Sequence, residues 1–446
     1  PVWNTLDAPV EGYTNFLWVA ISAFIITVGL NLFDTATMIG IAAGLASIEI
    51  TRRYAIRFFG CSPLIALLPC VLLAVSGPMA TWASSGMETS IFGMMLCAAC
   101  YFFTGYWRSS HRHELIFAFM LILLASLLRP EGVMVFCLFI GMSVVFAYDR
   151  FGVTLRDHLL PLALYLIPFA LYFAWRMSFF GDPLPNTFYA KTGGGFDQYL
   201  RGVAYAGSFF IFYVLPLVFP LALFIWKVPF PRWQGDTTLT NLFTLLRDYT
   251  HFVIPLVITG VYTAYIVYVG GDYMAMYRFF VPVLPLIYLF AAPAMTTLWP
   301  MVKETQGSRN LAYACLALAF IGVGIHSTPI EEGLFPKPTR QHGHYRGVQT
   351  ERWHVARLSL IGQYFNDQKT DTSDSLATRA IGAIGYYADM QIHDLTGLAD
   401  PIIARKEIEG MGKGWAGHEK MDLDYSFRRR PTFVMFDRNL VAEPVG

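Results

Sequence analysis

Asp272 and Arg278 stand at the mouth of an apolar run that continues through residues 279–301. Ionisable groups are costly where hydrocarbon begins, so they mark either a working site or the membrane edge. Four further stretches share this character. They read E-G-Y-T-N (11–15), S-S-G-M-E-T (84–89), R-P-E-G (129–132) and F-G-D-P-L-P-N-T-F-Y-A-K (180–191). An arginine fork matches the oxygens of a phosphate, and a lysine supplies a compact positive charge. Arg129, Lys191 and Arg278 are therefore candidates to hold a phosphate as negative charge builds on a leaving group. A carboxylate is needed to take the proton of an attacking hydroxyl, and Asp272 and Glu131 are the candidates for that catalytic role. Glu11, Tyr13, Asn15, Glu88, Asn186, Tyr189 and Tyr273 are candidate substrate contacts.

Each stretch also has a plainer reading. Arg129 and Glu131 could form a local ion pair across a tight turn. Glu88 could cap a helix at its positive end. Asp182 to Asn186 could be a loop stiffened by Pro183 and Pro185. Asp272 and Arg278 could simply pair with each other.

The elements that must position these residues are membrane helices. Of 446 residues, 55% are apolar and only 14% charged, against roughly 25% charged in soluble domains. Apolar segments fall near 14–33, 34–51, 62–79, 88–106, 115–128, 132–149, 158–179, 204–227, 251–269, 279–301 and 310–327. Many are long enough to cross a hydrocarbon core about 30 Å thick. Residues 1–327 thus read as a polytopic bundle. The segment 14–33 is expected to lie in the interface or to re-enter rather than to cross. Residues 328–446 change character, holding 15 of the 32 Lys and Arg and 16 of the 31 Asp and Glu. They read as a soluble α/β domain, with a helix near 351–365 and strands near 378–387 and 432–436. The expected fold class is mainly α, a transmembrane bundle with a C-terminal α/β domain.

Net charge is +1, which implies no polyanionic partner, and no nucleic-acid signature occurs. Cys97 and Cys100 form a lone C-A-A-C inside an apolar run and read as packing residues. No metal motif such as H-E-x-x-H is present. No cofactor is required by these residues, although the carboxylates leave room for a divalent cation.

Cytoplasmic loops are enriched in Lys and Arg. One alternate set of connections carries Arg52, Arg53, Arg57, Arg108, Arg112, Arg150, Arg156, Lys227, Arg232, Arg247, Lys303 and Arg309. The opposite set carries only Arg129, Arg176, Lys191, Arg201 and Arg278. The five candidate stretches and the C-terminal domain are therefore expected outside the cytoplasm, on a multi-pass protein of a bacterial plasma membrane. Nucleotide sugars are cytoplasmic, so an outer site of this kind suits transfer from a polyprenyl-phosphate sugar to a glycan, lipid or protein acceptor. The rival readings are a transporter, for which no internal repeat is visible, and an inactive scaffold subunit of an envelope complex.

The phrases "PVEGYTNFLW", "SSGMETSIF", "LRPEGV", "FFGDPLPNTFYAK", "GGDYMAMYRFFVPVLP" and "IGAIGYYADMQIHDLTGLADPIIAR" resemble those of bacterial lipid-linked-sugar glycosyltransferases of the GT-C fold. They resemble in particular those of the mycobacterial terminal arabinofuranosyltransferases. That resemblance implies a further N-terminal helix and an external acidic loop carrying the main catalytic base. Here the sequence begins at Pro1, just past where that loop is expected.

Overall fold

A computed structural model describes residues 3–6, 8–148, 151–215, 217, 239–303, 306, 310, 317, 320, 321, 323, 348–414 and 417–435. The chain is mainly helical, a bundle of apolar helices followed by a small α/β region. Among the described residues, five helices are long and apolar enough to cross a membrane: Leu32–Phe59, Thr89–Ser109, Thr154–Phe180, Thr250–Tyr268 and Arg278–Thr297. The expected segment at 310–327 and the later half of 204–227 lie largely outside the described residues.

Local chemistry explains where the helices start and break. Helix Leu32–Phe59 begins at Asn31, whose Oδ1 accepts the N–H groups of Phe33 and Asp34. Asp34 in its first turn and Arg57 in its last match the helix dipole, and Gly60 ends it in the left-handed conformation at φ 64°. The preceding helix, Phe16–Thr27, has 12 residues. It rises about 18 Å at 1.5 Å per residue, too short to cross on its own. The expected segment 62–79 is split into Leu67–Val75 and Gly77–Ala83. The break falls at Ser76, which is extended, and Pro78 sits in the first turn of the second helix, where its missing N–H needs no partner.

Helices Thr89–Ser109 and Arg112–Leu128 form the centre of the bundle and run antiparallel. The first has 21 residues, hence a length of about 31 Å. Its near end follows Glu88. Its far end carries Arg108, whose guanidinium donates to the Asp248 carbonyl at 3.0 Å. Arg57–Glu114 and Arg112–Asp157, each at 2.6 Å, also lie at that far end. The return helix ends at Arg129. Two charged layers are thus separated by the length of one helix. Between them lies an apolar core that includes Phe92, Phe103, Phe119, Ile122 and Phe139, all essentially inaccessible.

The C-terminal region has its own apolar cluster, built from Leu358, Ile361, Leu376, Ile384 and Ile392 with their neighbours. Helix Val348–Gln368 contains the expected helix and packs on helix Ala383–Ala388. Three parallel strands follow the order β4-β3-β5, with β3 Ser375–Thr378, β4 Gln391–Asp394 and β5 Phe433–Met435. Leu376 pairs with Ile392 on one side and with Phe433 on the other. The run 378–387, expected as a strand, is instead a strand end followed by a helix. Its buried positions Ile381, Ile384 and Ala388 recur every three to four residues, which is a helical period. A short antiparallel hairpin, β1 Trp3–Leu6 with β2 Ala8–Val10, leads into the site.

Candidate functional site

The turn 270–278 reverses the chain sharply between helix Thr250–Tyr268 and the 3-10 turn Arg278–Val283. Gly270 and Gly271 take positive φ, as do Met276 and Tyr277. Left-handed backbone at two consecutive non-glycine residues is strained, and such strain collects at sites held in place by their surroundings. Trp82 supplies part of that hold, donating its indole N–H to the Met276 carbonyl at 3.1 Å. Asp272 Oδ1 accepts the Tyr273 N–H at 2.9 Å, which fixes the carboxylate. Its Oδ2 lies 2.7 Å from Arg278 Nε. Neither atom gains a directional hydrogen bond from this approach, so the pair is a charge contact whose donor is misaligned. The plain reading of these two residues as partners is therefore realised.

Arg129 is the opposite case. Its two terminal nitrogens donate to Glu131 Oε1 at 2.9 Å and to Glu88 Oε1 at 3.1 Å. Glu88 also accepts from Asn15 Nδ2 at 3.2 Å. Glu88 precedes a helix but makes no capping bond, so its carboxylate is spent on Arg129 and Asn15 rather than on the helix end. The Phe279 ring lies between the two guanidiniums, 5.6 Å from that of Arg129 and 5.1 Å from that of Arg278. Phe92 also lies 5.8 Å from the Arg129 guanidinium, and Trp82 5.6 Å from that of Arg278. Aromatic faces attract cations electrostatically and hold them without using their N–H groups.

Lys191 ends the short helix Asn186–Lys191 and is exposed. Among the described residues it makes no hydrogen bond or ion pair. Gly417 lies against its alkyl stem, and the next residue, His418, stands edge-on to Tyr273, which brings Lys191 beside the Asp272 turn.

The other candidates stand apart. Glu11 is buried against Arg176, with Nε to Oε2 at 2.6 Å, and its carbonyl accepts the Asn186 N–H at 3.0 Å. Burial pushes the Glu11 carboxyl above its ordinary range despite the nearby guanidinium. Tyr13 packs edge-on to Phe180 at 6.2 Å. Asn186, Tyr189 and Tyr273 face the C-terminal region. Asn186 Nδ2 donates to the Gly397 and Leu398 carbonyls at 2.9 and 3.1 Å. Arg405 covers the Tyr189 ring at 4.2 Å, and His418 stands edge-on to Tyr273 at 4.8 Å. Sequence reading passed over Arg176, Arg201, Trp82 and His418. Arg176 did carry a signal, a lone cation inside the last turns of an apolar helix. Arg201 donates to the Gly270, Gly412 and Gly414 carbonyls and to Glu419, a set of partners that no spacing announces. Among the described residues no group of three or more His, Cys, Asp or Glu side chains could hold a metal ion.

The fold and this layer of charge define a multi-pass membrane protein whose ionised side chains, drawn from four separated stretches, gather at one end of its helix bundle. A family model described as a domain of unknown function (DUF8728) matches residues 343–444. Two solved structures of ArnT from Cupriavidus metallidurans are similar to this chain, at 13% identity and covering 86% of it. The one bound to undecaprenyl phosphate gives a TM-score of 0.49 over 75% of its own chain. The apo form gives 0.47 over 81%. No curated protein matches the sequence.

Proposed function

We propose that this protein is a GT-C-like membrane glycosyltransferase that moves a sugar from a polyprenyl-phosphate carrier to an acceptor hydroxyl at the extracytoplasmic rim of the membrane. The observation that carries this reading is Lys191, without a hydrogen bond or ion pair among the described residues, held beside the Asp272–Arg278 turn at one end of a bundle of apolar helices. A lipid-borne phosphate needs cations for its oxygens and an apolar flank for its tail; Lys191 and Arg278 are the cations, and Leu184 and Phe188 of the Lys191 loop are exposed apolar side chains.

The roles follow from how each cation is held. Arg129 is saturated by Glu88 and Glu131 and serves as fixed positive charge. Lys191 is free and Arg278 is misaligned with Asp272, so these two receive the phosphate oxygens. As Arg278 turns toward the phosphate, Asp272 is released to orient the acceptor hydroxyl, whose proton passes to a carboxylate base, for which Asp272 and Glu131 are the candidates among the described residues. The new bond joins acceptor oxygen to the anomeric carbon. The bond from that carbon to the phosphate oxygen breaks, and its electron pair leaves on the polyprenyl phosphate. The motif resemblance to mycobacterial terminal arabinofuranosyltransferases makes a pentose the first donor to test.

The test is transfer of labelled sugar from polyprenyl-phosphate pentoses and hexoses by the purified protein in nanodiscs. Asp272→Asn and, separately, Arg278→Ala are expected to lower transfer by about 10²–10⁴-fold while the protein stays folded. Near-normal transfer by either variant refutes these assignments.

A further inference from the structure

Lys191 is placed by the C-terminal region as well as by its own helix. The loop 182–191 is gripped from that side along its whole length. Arg405 pairs with Asp182 at 2.7 Å, Asn186 donates to Gly397 and Leu398, and Lys420 Nζ donates to the Tyr189 carbonyl at 3.0 Å. Lys420 also donates to the Ala404 carbonyl at 2.7 Å, so one ammonium ties the two chain segments together. At the end of this grip, Gly417 lies flat against the alkyl stem of Lys191. A Cβ on Gly417 would come within 3.0 Å of Lys191 Cε, 3.2 Å of Cγ and 3.4 Å of Cδ. The Lys191 ammonium has no bond of its own to fix it among the described residues, so packing on its stem is what limits where it points.

We infer that Gly417 is a positioning residue: it holds the Lys191 stem so that the ammonium faces the Asp272–Arg278 pair, and affinity for a lipid phosphate is thereby set from the C-terminal region. This rests on reading the cluster as a phosphate site. It adds that the grip on loop 182–191 is part of donor binding, whatever the C-terminal region does for the acceptor. A methyl group at Gly417 must displace the stem, because 3.0–3.4 Å is tighter than ordinary carbon contact. Gly417 also has φ +79°, so any side chain there adds backbone strain. Gly410 separates the two effects. It lies in the same segment with φ +77°, and a Cβ there meets only Lys413 Cδ, at 4.0 Å.

The experiment is isothermal titration of the full chain in neutral-lipid nanodiscs with a polyprenyl monophosphate, which reads binding without turnover. Lys191→Ala is expected to weaken binding about tenfold. Gly417→Ala is expected to weaken it about fivefold and Gly410→Ala to leave it unchanged. In the double variant Gly417→Ala with Lys191→Ala, binding should be no weaker than with Lys191→Ala alone, since the stem that the methyl displaces is gone. An equal loss in Gly410→Ala, a Gly417→Ala loss that persists without Lys191, or no loss in Gly417→Ala overturns the inference and leaves the phosphate reading standing. Wild-type affinity in Lys191→Ala overturns both.

Discussion

At the scale of single residues, the cations of the site divide by how much each is needed to hold the fold. Arg129 is buried with two carboxylates on its fork. Removing one partner of a buried ionic group leaves the others charged, desolvated and unpaired, at a cost of about 3–5 kcal/mol. Arg129→Met is therefore expected to lower the thermal midpoint of the detergent-solubilised protein sharply, followed by tryptophan fluorescence. Lys191→Ala should leave that midpoint nearly unchanged, because Lys191 has no hydrogen bond or ion pair among the described residues to lose. Equal midpoints for the two variants would contradict the division. Part of this was legible. Arg129 and Glu131 flank a single proline, and Asp272 and Arg278 bracket one turn, so their pairing was open to sequence reading. The Glu11–Arg176 pair joins residues 165 positions apart, and no local pattern could announce it. Nor could residue types say that Arg129 is saturated while Lys191 is free, since that depends on which loops meet.

At the scale of elements, the C-terminal sheet carries a second titratable feature. His393 lies on β4, is 5% exposed, and neither ring nitrogen has a hydrogen-bond partner among the described residues. Burial, and then the nearby Arg429 charge, push its pKa down to about 4, against the pull of Asp400. The unfolded imidazole titrates near 6.5. The folded state therefore binds fewer protons between those values. Stability is fully present above about pH 6.5 and is lost as the pH falls toward 4. Allowing for solvent screening, the loss is on the order of 1–2 kcal/mol. His393→Phe keeps a buried ring and removes the titration, so its melting curves from pH 7.5 to 4.5 should fall less steeply than those of the wild type. Parallel slopes would show that the acid sensitivity lies elsewhere. Apolar runs marked where helices lie but not where they end: the run 34–51 continues as helix to Phe59 and Gly60, and the run 62–79 is interrupted at Ser76. Element type was misread where apolar residues could fit either period. Ala380 to Tyr387 looks extended by composition, and only the burial of Ile381, Ile384 and Ala388 against helix Val348–Gln368 settles it as helical.

At the scale of the whole molecule, the arrangement is two charged layers at opposite ends of the Thr89–Ser109 helix, with the C-terminal region docked on the layer that holds the candidate site. The Lys and Arg asymmetry of the loops foretold which residues would share an end: Arg57, Arg108 and Arg112 at one, Arg129, Lys191 and Arg278 at the other. That part was readable because successive crossings alternate between the two ends of a bundle, so alternate connections in the sequence fall at the same end. The docking was not readable. It rests on backbone carbonyls at Gly397, Leu398, Gly412 and Gly414 receiving Asn186 and Arg201, and a carbonyl leaves no trace in residue type. We propose that the site layer faces away from the cytoplasm. Single cysteines test this in intact cells. Lys413 and Arg53 both expose most of their side chains, one in each layer. Cys61, Cys70, Cys97 and Cys100 are buried and Cys137 is exposed, so the labelling is done in a background with Cys137 and Cys315 replaced by serine. Lys413→Cys is expected to react with a membrane-impermeant maleimide in whole cells, and Arg53→Cys only after permeabilisation. The reverse pattern would turn the molecule over and put the Lys191 cluster in the cytoplasm, where nucleotide-activated sugars would reach it and no lipid-linked donor would be needed.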